Sequence, residues 1–297
     1  MQNHHIEDTL ALLDGGPARA SRRHLLGALA GLGYCAAAGT VQAQTAIRTP
    51  ADGLVTGRVM IDAPGRQIPV YRSMPVGATR APVVLVISEV FGVHEYIADV
   101  TRRLARQGYL AVAPDLFVRQ GDPMSFTEPA RLMSELIAKV PDGQVMGDLD
   151  ATLQWALGQG GDAARVGLTG FCWGGRNVWL YAAREPRVRA AVAWYGRLVG
   201  PSTELTPTHP LQVAAQLHAP VLGLYGGADA GIPVATVEQM RQALAAAPGA
   251  AARASELVVF PDTPHAFHAD YRPSYRAGPA QEGWQRMLDW FRRHGVI

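Results

Sequence analysis

Short apolar runs alternate with helical patterns along most of this chain. The runs that predict strands cover residues 55–61, 67–71, 83–87, 110–113, 166–169, 190–194, 221–225 and 257–260. Apolar spacing typical of helices covers residues 96–106, 128–139, 144–159, 174–184, 233–247 and 278–294. Strands that alternate with helices of this length predict one α/β domain, a doubly wound and mostly parallel sheet with helices on both faces.

The first 43 residues have a different pattern, that of an export signal. Arg22 and Arg23 precede a mildly apolar stretch of 14 residues, 25–38, and small residues follow up to Ala43. The arginine pair resembles a twin-arginine signal, which implies a periplasmic protein and contact with the twin-arginine export machinery during targeting. The apolar stretch is shorter than the ~20 residues of a membrane-spanning helix, so no stable membrane anchor is expected. The alternative is an ordinary amphipathic helix, which the stretch's glycines oppose.

This pattern divides the chain into a signal (1–43), a linker (44–54) and one folded domain (55–297). The composition of the 297 residues, 48% hydrophobic and 18% charged, excludes a disordered or multispanning protein. Subtracting 25 acidic from 27 basic residues leaves a net charge of +2, which gives no electrostatic footprint for nucleic acid. If Cys35 leaves with the signal, Cys172 is a single thiol, either buried and inert or chemically used.

The segment around Cys172 is the first candidate for chemistry. Gly170-Phe171-Cys172-Trp173-Gly174-Gly175 follows a predicted strand and precedes a predicted helix. Small-x-nucleophile-x-small is the nucleophile-elbow pattern, whose turn is so tight that side chains at 170 and 174 would collide. The elbow also sets the thiol at a helix N-terminus, which favours thiolate. Glycines at such a turn also occur for packing reasons alone.

Two further residues follow the ends of predicted strands. Asp229 comes just after the strand at 221–225, and His265 comes just after the strand at 257–260. The chain order nucleophile, acid, histidine is that of α/β-hydrolases, which predicts the α/β-hydrolase fold. Each residue also has a simpler interpretation. Asp229 could cap the helix that follows it, and His265 could be an ordinary loop histidine among the nine in the chain.

Glu89 follows the strand at 83–87, where hydrolases of this fold build half of the oxyanion hole. Together these residues resemble the dienelactone hydrolase family, over roughly residues 55–295. The motifs are Glu89-x-Phe91-Gly92, Pro114-Asp115-Leu116-Phe117-x-Arg119, the cysteine elbow, Trp194-Tyr195-Gly196, Gly226-Gly227-x-Asp229 and the late His265. A cysteine elbow with an upstream Glu-x-Phe-Gly is specific, because most α/β-hydrolases use serine and lack that glutamate.

The resemblance implies an enzyme that hydrolyses a carboxylic ester or lactone through an acyl-enzyme, without a metal or organic cofactor. By the same resemblance, Cys172 is the nucleophile, His265 the general base and acid, Asp229 the residue that orients the imidazole, and Glu89 a helper in deprotonating the thiol. The backbone N–H groups of Val90 and Trp173 would form the oxyanion hole, and Arg119 would bind substrate. Phe91 and Tyr195 suggest an apolar substrate pocket, although core packing explains either residue equally well.

The chain departs from the family pattern after the histidine. Ala266 and Ala269 stand where the family has a serine and a second arginine that bind a substrate carboxylate. His268, Arg272 or Arg276 is the candidate replacement from the same loop. Two other functions stay open at this stage. One is a redox or peroxide-reactive thiol protein, which the lack of a second mature cysteine opposes, and the other is a non-catalytic binding module on a degenerate hydrolase fold.

Overall fold

Eight strands form one sheet in the part of the chain that the structure, a computed structural model, describes, residues 46–297. The strands are β1 (Leu54–Ala63), β2 (Arg66–Pro75), β3 (Ala81–Ile87), β4 (Leu110–Pro114), β5 (Gly161–Phe171), β6 (Val188–Trp194), β7 (Val221–Gly226) and β8 (Glu256–Phe260). Every predicted strand has a counterpart among them. Each observed strand is longer than its predicted run, because pairing with a neighbour extends beyond the apolar residues.

The strand order across the sheet is β1-β2-β4-β3-β5-β6-β7-β8. The first two strands form the predicted antiparallel hairpin, which pairs Leu54 with Pro75 at its open end and Ala63 with Arg66 next to the turn. Gly65 has a φ of 79° in that turn, a conformation that glycine adopts without strain. β2 pairs antiparallel with β4, and the pairings from β4 to β8 are parallel.

Helices lie between the parallel strands, and the last helix follows β8. They are α1 (Glu95–Arg106), α2 (Pro129–Arg131), α3 (Asp142–Gly158), α4 (Trp173–Ala182), α5 (Pro210–Val213), α6 (Val234–Ala246), α7 (Ala250–Arg253) and α8 (Ala277–Arg293). All seven residues of β3 are buried, alternate side chains included, so both faces of the sheet are covered. The predicted doubly wound α/β-hydrolase architecture is confirmed.

The single helix predicted over 128–139 is wrong. The chain there forms the one-turn α2, a π-helix over Leu132–Leu136 and a 3₁₀ turn over Ile137–Lys139. Leu132, Leu136 and Ile137 are all buried, and the i, i+4, i+5 spacing of these residues fits the wider turn of a π-helix better than an α-helix. Burial therefore overrides the α-helical pattern of this segment.

The strand order reverses beside β3. The chain continues from β3 to β4 on one side, and β5 pairs with the other side of β3. Ligands of open α/β sheets bind at such a switch point, beyond the carboxyl ends of the strands. The predicted export signal lies outside the described residues and stays a prediction. None of the helices in the described part is both long and apolar enough to cross a membrane.

Candidate active site

Five of the predicted site residues lie just beyond the carboxyl ends of parallel strands. They are Glu89 after β3, Cys172 after β5, Tyr195 after β6, Asp229 after β7 and His265 after β8. All five are buried, and only 5% of the surface of Cys172 and of His265 reaches solvent. Because parallel strands end at one edge of the sheet, residues far apart in the chain meet there.

The backbone at Cys172 has the strained form of a nucleophile elbow. The φ and ψ angles of Cys172 are 56° and −114°, outside the regions that most residues other than glycine adopt. A Cβ at position 170 would lie 2.7 Å from the carbonyl oxygen of Gly174, and a Cβ at 174 would collide with the carbonyl oxygens of Ile87 and Ser88. The predicted steric requirement for glycine at both positions is therefore confirmed.

Cys172, His265 and Asp229 form one hydrogen-bonded series. The Nδ1 atom of His265 lies 2.6 Å from Oδ2 of Asp229, and the side chain of His265 also hydrogen-bonds to Cys172. Because Nδ1 contacts the carboxylate, Nε2 is the nitrogen that remains for the sulfur. The other oxygen of Asp229, Oδ1, accepts hydrogen bonds from the backbone N–H groups of Gly231 and Ile232, at 2.9 and 3.2 Å. Asp229 therefore both closes the turn after β7 and contacts the imidazole.

The surroundings of His265 strongly favour its protonated form. Burial by itself lowers the pKa of the imidazole, but the negative charge of Cys172 and the hydrogen bond to Asp229 outweigh burial and raise the pKa of His265 to about 10. A raised pKa means that the proton stays on His265 through neutral pH and is lost only as the pH rises through about 10. At neutral pH the imidazolium can therefore pair with a cysteine thiolate and later give up its proton.

We expect the Cys172→Ala substitution to lower the pKa of His265 from about 10. The substitution removes both the charge and the hydrogen bond of the sulfur, while burial, which acts in the opposite direction, remains. The measurement is an NMR pH titration of the imidazole ring carbons, with the His265 signal assigned by its loss in His265→Gln. An unchanged titration midpoint in Cys172→Ala would contradict the assigned pairing.

Glu89 is held by three side chains. Its Oε1 atom lies 3.3 Å from Nε2 of His94 and accepts a hydrogen bond from the hydroxyl of Tyr271, and its Oε2 atom lies 3.4 Å from Nη2 of Arg272. Burial would raise the pKa of the Glu89 carboxyl, but the charge of Arg272 and the hydrogen bond to His94 hold it below its usual value. Glu89 is therefore a stabilised carboxylate, and a weak base while Arg272 stays in place.

Of the three candidates in the loop after His265, only Arg272 pairs with Glu89. The Nε atom of Arg272 also donates to the Tyr271 hydroxyl at 3.0 Å, and its guanidinium lies 4.8 Å from the ring centre of Phe91. His268 is 2.6 Å from the Tyr96 hydroxyl, and burial holds its pKa far below the usual value, so it carries no positive charge. Arg276 is exposed and bonds to backbone carbonyls.

Sequence reasoning missed Tyr271 and His94 as contacts of Glu89. His94 follows the Glu-x-Phe-Gly motif by two positions, so its nearness to the glutamate was a usable signal. Tyr271 lies 182 positions after Glu89, and nothing in the local pattern marks it.

Arg119, predicted to bind substrate, has other contacts in the structure. Its Nη1 and Nη2 atoms lie 2.5 and 2.8 Å from the two carboxylate oxygens of Asp148 in α3, and Nη2 also donates to the carbonyl oxygen of Pro64 at 2.8 Å. A two-pronged ion pair of this kind fixes the guanidinium. The described contacts of Arg119 therefore run to α3 and to the β1–β2 turn, rather than to Glu89 or His265.

The two predicted oxyanion donors flank the elbow. Trp173 is the first residue of α4, so its N–H has no acceptor within the helix. The backbone hydrogen bonds of the described turns include none donated by the N–H of Val90, which follows Glu89 directly. Both amides belong to buried residues at the ends of neighbouring strands. The two amides therefore follow adjacent strands, β3 and β5, as the prediction requires.

Two cavities adjoin this centre. One, of about 600 Å³, is lined by Phe91 and His94 on the Glu89 side. The other, of about 220 Å³, is lined by Trp173 and by residues of the π-helical and 3₁₀ segments. Both volumes suit a small molecule, consistent with the predicted pocket at Phe91. Within residues 46–297, no group of three or more histidine, cysteine, aspartate or glutamate side chains could hold a metal ion.

Comparison with known proteins gives consistent matches. The family model described as the dienelactone hydrolase family matches residues 68–295. A protein of Methylorubrum extorquens that carries the provisional name carboxymethylenebutenolidase is 55% identical over 277 residues, which are 93% of this chain and 94% of that protein. A protein of Escherichia coli K12 with the same provisional name is 52% identical over 254 residues, 85% of this chain and 92% of its own.

Solved structures give a similar result. The crystal structure of a provisionally named dienelactone hydrolase from Klebsiella pneumoniae superposes with a TM-score of 0.79 at 52% identity, over 82% of this chain and 100% of that one. A dienelactone hydrolase-like promiscuous phosphotriesterase from metagenomic libraries superposes with a TM-score of 0.66 over 82% of this chain and 99% of its own. At 20% identity the second match supports the fold alone.

Proposed function

This chain belongs to the dienelactone hydrolase family and is a hydrolase of lactones or esters, and we propose that it works through a cysteine nucleophile, Cys172, with His265 and Asp229. The observation that carries the proposal is the hydrogen-bonded series Cys172–His265–Asp229, placed where a strained elbow turns into α4. An inert core cysteine has no need of strained backbone or of an imidazole beside it.

The first half of the proposed reaction is acylation. The Cys172 sulfur attacks the carbonyl carbon, and the N–H groups of Val90 and Trp173 bind the oxygen on which negative charge develops. The C–O bond to the leaving group then breaks, and the electron pair stays on the leaving oxygen. Imidazolium His265 supplies the proton that this oxygen takes up, consistent with the raised pKa of His265.

The second half is deacylation. His265, now neutral, removes a proton from a water molecule, which attacks the acyl-cysteine carbonyl. The C–S bond breaks, the acid product leaves, and the sulfur regains its imidazolium partner. Asp229 stabilises that imidazolium through Nδ1 at 2.6 Å and fixes which nitrogen faces the sulfur. Every step uses groups of this chain, water and substrate.

Glu89 has a conditional role in this proposal. While Arg272 is within 3.4 Å, the Glu89 carboxylate is a poor proton acceptor. Because the His265 imidazolium already pairs with a thiolate in this proposal, Glu89 acts as a base, as the family resemblance implies, only on a Cys172 that is still a thiol, and only when Arg272 turns away. While it is paired with Arg272, Glu89 is instead a fixed, buried negative charge next to the site.

The substrate class follows from the relatives. Their name denotes a butenolide, an unsaturated five-membered lactone, with a carboxymethylene substituent. We propose a small ester or lactone of comparable size for this chain, hydrolysed in the periplasm after export through the twin-arginine machinery. Buried Arg272, beside Glu89, is a permanently charged cation in the site with which a carboxylate on the substrate could pair.

The experiment is a hydrolysis assay of the full chain on a panel of short-chain aryl esters, alkyl esters and five-membered lactones. We expect turnover of members of the panel, and loss of that turnover after treatment with iodoacetamide, because alkylation consumes the nucleophile. Protection of activity by excess substrate during the treatment would localise the alkylated thiol to the site. Full activity after stoichiometric alkylation of Cys172 would contradict the proposal.

A further inference from the structure

The loop that carries Tyr271 and Arg272 is tied to α1 by a buried ion pair. Asp270, which is buried, comes directly before these two contacts of Glu89. The Nη2 atom of Arg103, in α1, donates to Oδ2 of Asp270 at 2.5 Å. Neither charge of this pair takes part in the proposed reaction, so the pair has a different role.

Arg103 joins two carboxylates. Its Nε atom donates to Oδ2 of Asp99, on the same helix, at 2.6 Å, while its Nη2 atom reaches Asp270 in the loop. Asp99 is fully buried and also accepts a hydrogen bond from Nη2 of Arg102 at 3.1 Å. Because a guanidinium group is planar, the two bonds of Arg103 have fixed relative directions. Arg103 therefore sets the position of Asp270 relative to α1.

The segment before β1 belongs to the same network. The backbone N–H of Ile47 donates to the Asp270 carboxylate, and the N–H of Thr49 donates to Oδ1 of Asp99 at 2.5 Å. Residues 47–49, which fall within the predicted linker, thus form a strap that contacts both the loop and α1. The strap gives the Asp270 carboxylate a second anchor besides the guanidinium.

Both sides of the Glu89–Arg272 pair are fixed relative to one helix. On the Glu89 side, α1 begins directly after His94, whose Nε2 atom lies 3.3 Å from the Glu89 carboxylate. On the Arg272 side, the loop contacts α1 through Asp270 and also through His268, whose Nδ1 atom lies 2.6 Å from the hydroxyl of a tyrosine in α1. The geometry of the pair therefore depends on how the loop is held.

Arg272 itself is only weakly anchored by Glu89. The distance from Nη2 to Oε2 is 3.4 Å, longer than the about 2.7–2.9 Å of a normal charge-assisted hydrogen bond. The backbone N–H of Arg272 donates to the carbonyl oxygen of Ala269 at 3.0 Å, which closes a turn over residues 269–272 with Asp270 inside it. A bond that holds Asp270 therefore holds the whole turn.

We propose that Asp270, held by Arg103 and by the strap, is a positioning residue that keeps Arg272 beside Glu89. The inference rests on the proposed function, since it takes Glu89 and Arg272 as parts of a hydrolase site. Without the bond from Arg103, the 269–272 turn is no longer held on α1, and Arg272 moves off the carboxylate. Asp270 thus keeps Glu89 a weak base and keeps Arg272 in place for a carboxylate on the substrate.

The test follows the Glu89 carboxyl in the Asp270→Asn variant. Asparagine has nearly the shape of aspartate, and Arg103 keeps its bond to Asp99, so the variant leaves the guanidinium paired. We expect the pKa of Glu89 to rise from its lowered value, because burial raises it and the charge of Arg272 then opposes burial less. The measurement is an NMR pH titration of ¹³C-labelled glutamate carboxyls, with the Glu89 signal assigned by its loss in Glu89→Gln.

The other groups that face Glu89 do not reverse this expectation. Tyr271 donates to Glu89 from the same loop, so a weaker bond from its hydroxyl also raises the pKa of the carboxyl. The remaining groups lie outside the 269–272 turn and are unchanged in the variant; they are His94, Tyr96, Tyr195 and His265.

Arg103→Lys tests the same contact from the helix. Lysine keeps the positive charge, but its single ammonium group does not reproduce the fork that bonds Asp99 and Asp270 together. We expect the pKa of Glu89 to rise in this variant as well. Because the charge of the helix is retained, the comparison separates the position of the loop from the loss of a charge.

Glu185→Gln is the matched control. Glu185 is also a buried carboxylate paired with an arginine, Arg187, at 2.7 Å. It lies between α4 and β6, at the ends of the parallel strands opposite to the site. The control should leave the pKa of Glu89 at its wild-type value. An equal rise in Glu185→Gln would mean that any lost ion pair loosens the site, and would overturn the inference.

A second readout is substrate preference. A five-membered lactone that carries a carboxylate is compared with the same lactone in which a carboxamide replaces the carboxylate. In Asp270→Asn we expect the ratio of kcat/KM for the carboxylate to that for the carboxamide to fall about tenfold, since a hydrogen bond to a charged group is misplaced. The ratio should stay at the wild-type value in Glu185→Gln. An unchanged ratio in Asp270→Asn would overturn the inference.

The titration separates this inference from the proposed function, because it requires no turnover. A Glu89 titration that is unchanged in both Asp270→Asn and Arg103→Lys would overturn the inference and leave the nucleophile assignment intact. Wild-type hydrolysis by Cys172→Ala would instead overturn the proposed function, whatever the titration shows. If Asp270→Asn does not fold, the titration of Arg103→Lys decides.

Discussion

Cys172→Ala is expected to lower the turnover of any ester or lactone substrate by at least about 10⁴-fold, because the variant has no atom that can form the acyl intermediate. Residual hydrolysis would come from direct attack of water on the substrate, because the Val90 and Trp173 amides still stabilise the oxyanion. The fold should be unaffected, since the Cys172 side chain is small and alanine meets the same backbone strain at φ 56°. The measurement is kcat/KM on an aryl ester, with circular dichroism to confirm folding.

The other cysteine supplies the matched control for this prediction. Cys35 lies in the predicted export signal, outside the folded domain, so the Cys35→Ala variant should keep full activity. Cys172→Ser should be nearly as poor as Cys172→Ala, because a hydroxyl is far less ready to ionise than a thiol. Wild-type turnover by Cys172→Ala would show that the sulfur is not the nucleophile.

The second large effect is expected for His265→Ala, with a loss in turnover of about 10⁴-fold or more. Without the imidazole, no group protonates the leaving oxygen and no base activates water for deacylation. With an aryl ester the first deficiency matters less, since the phenolate leaves without a proton. Deacylation then becomes the slow step, and acyl-enzyme should accumulate in this variant.

His218→Ala serves as the control for this substitution. His218 is exposed, and the hydrogen bond described for it is donated by its backbone N–H to Ala182, which alanine retains. Its activity should equal that of the wild type. If His265→Ala retains more than about a tenth of wild-type turnover, the assignment of His265 as base and acid is wrong.

The sequence was sufficient to predict the sheet because each central strand is a short apolar run bounded by turn residues. β3 is buried along its whole length, so its apolar pattern is unbroken. The steric demand at the elbow was also predictable, since a Cβ at 174 collides with backbone atoms that cannot move away. Local pattern and global fold agree at these positions.

Contacts between distant residues could not be predicted in the same way. The ion pair of Arg119 with Asp148 joins residues 29 positions apart, and its geometry depends on how α3 packs. The choice of Arg272 over its neighbours depends on a loop that starts at Ala266, with a φ of 57°, and on the turn in which Arg272 N–H donates to Ala269. Spacing along the chain does not encode the direction of a side chain on such a loop.

The most direct test of the central claim is to find the acyl group. His265→Ala is mixed with p-nitrophenyl acetate, quenched in acid, and measured by intact mass and peptide mapping, with the double variant Cys172→Ala/His265→Ala treated in parallel. We expect one acetyl group per chain, on the peptide that contains Cys172, and none in the double variant. Release of p-nitrophenol without acetylation of Cys172, or an acetyl group on another residue at the same stoichiometry, would contradict catalysis by this cysteine.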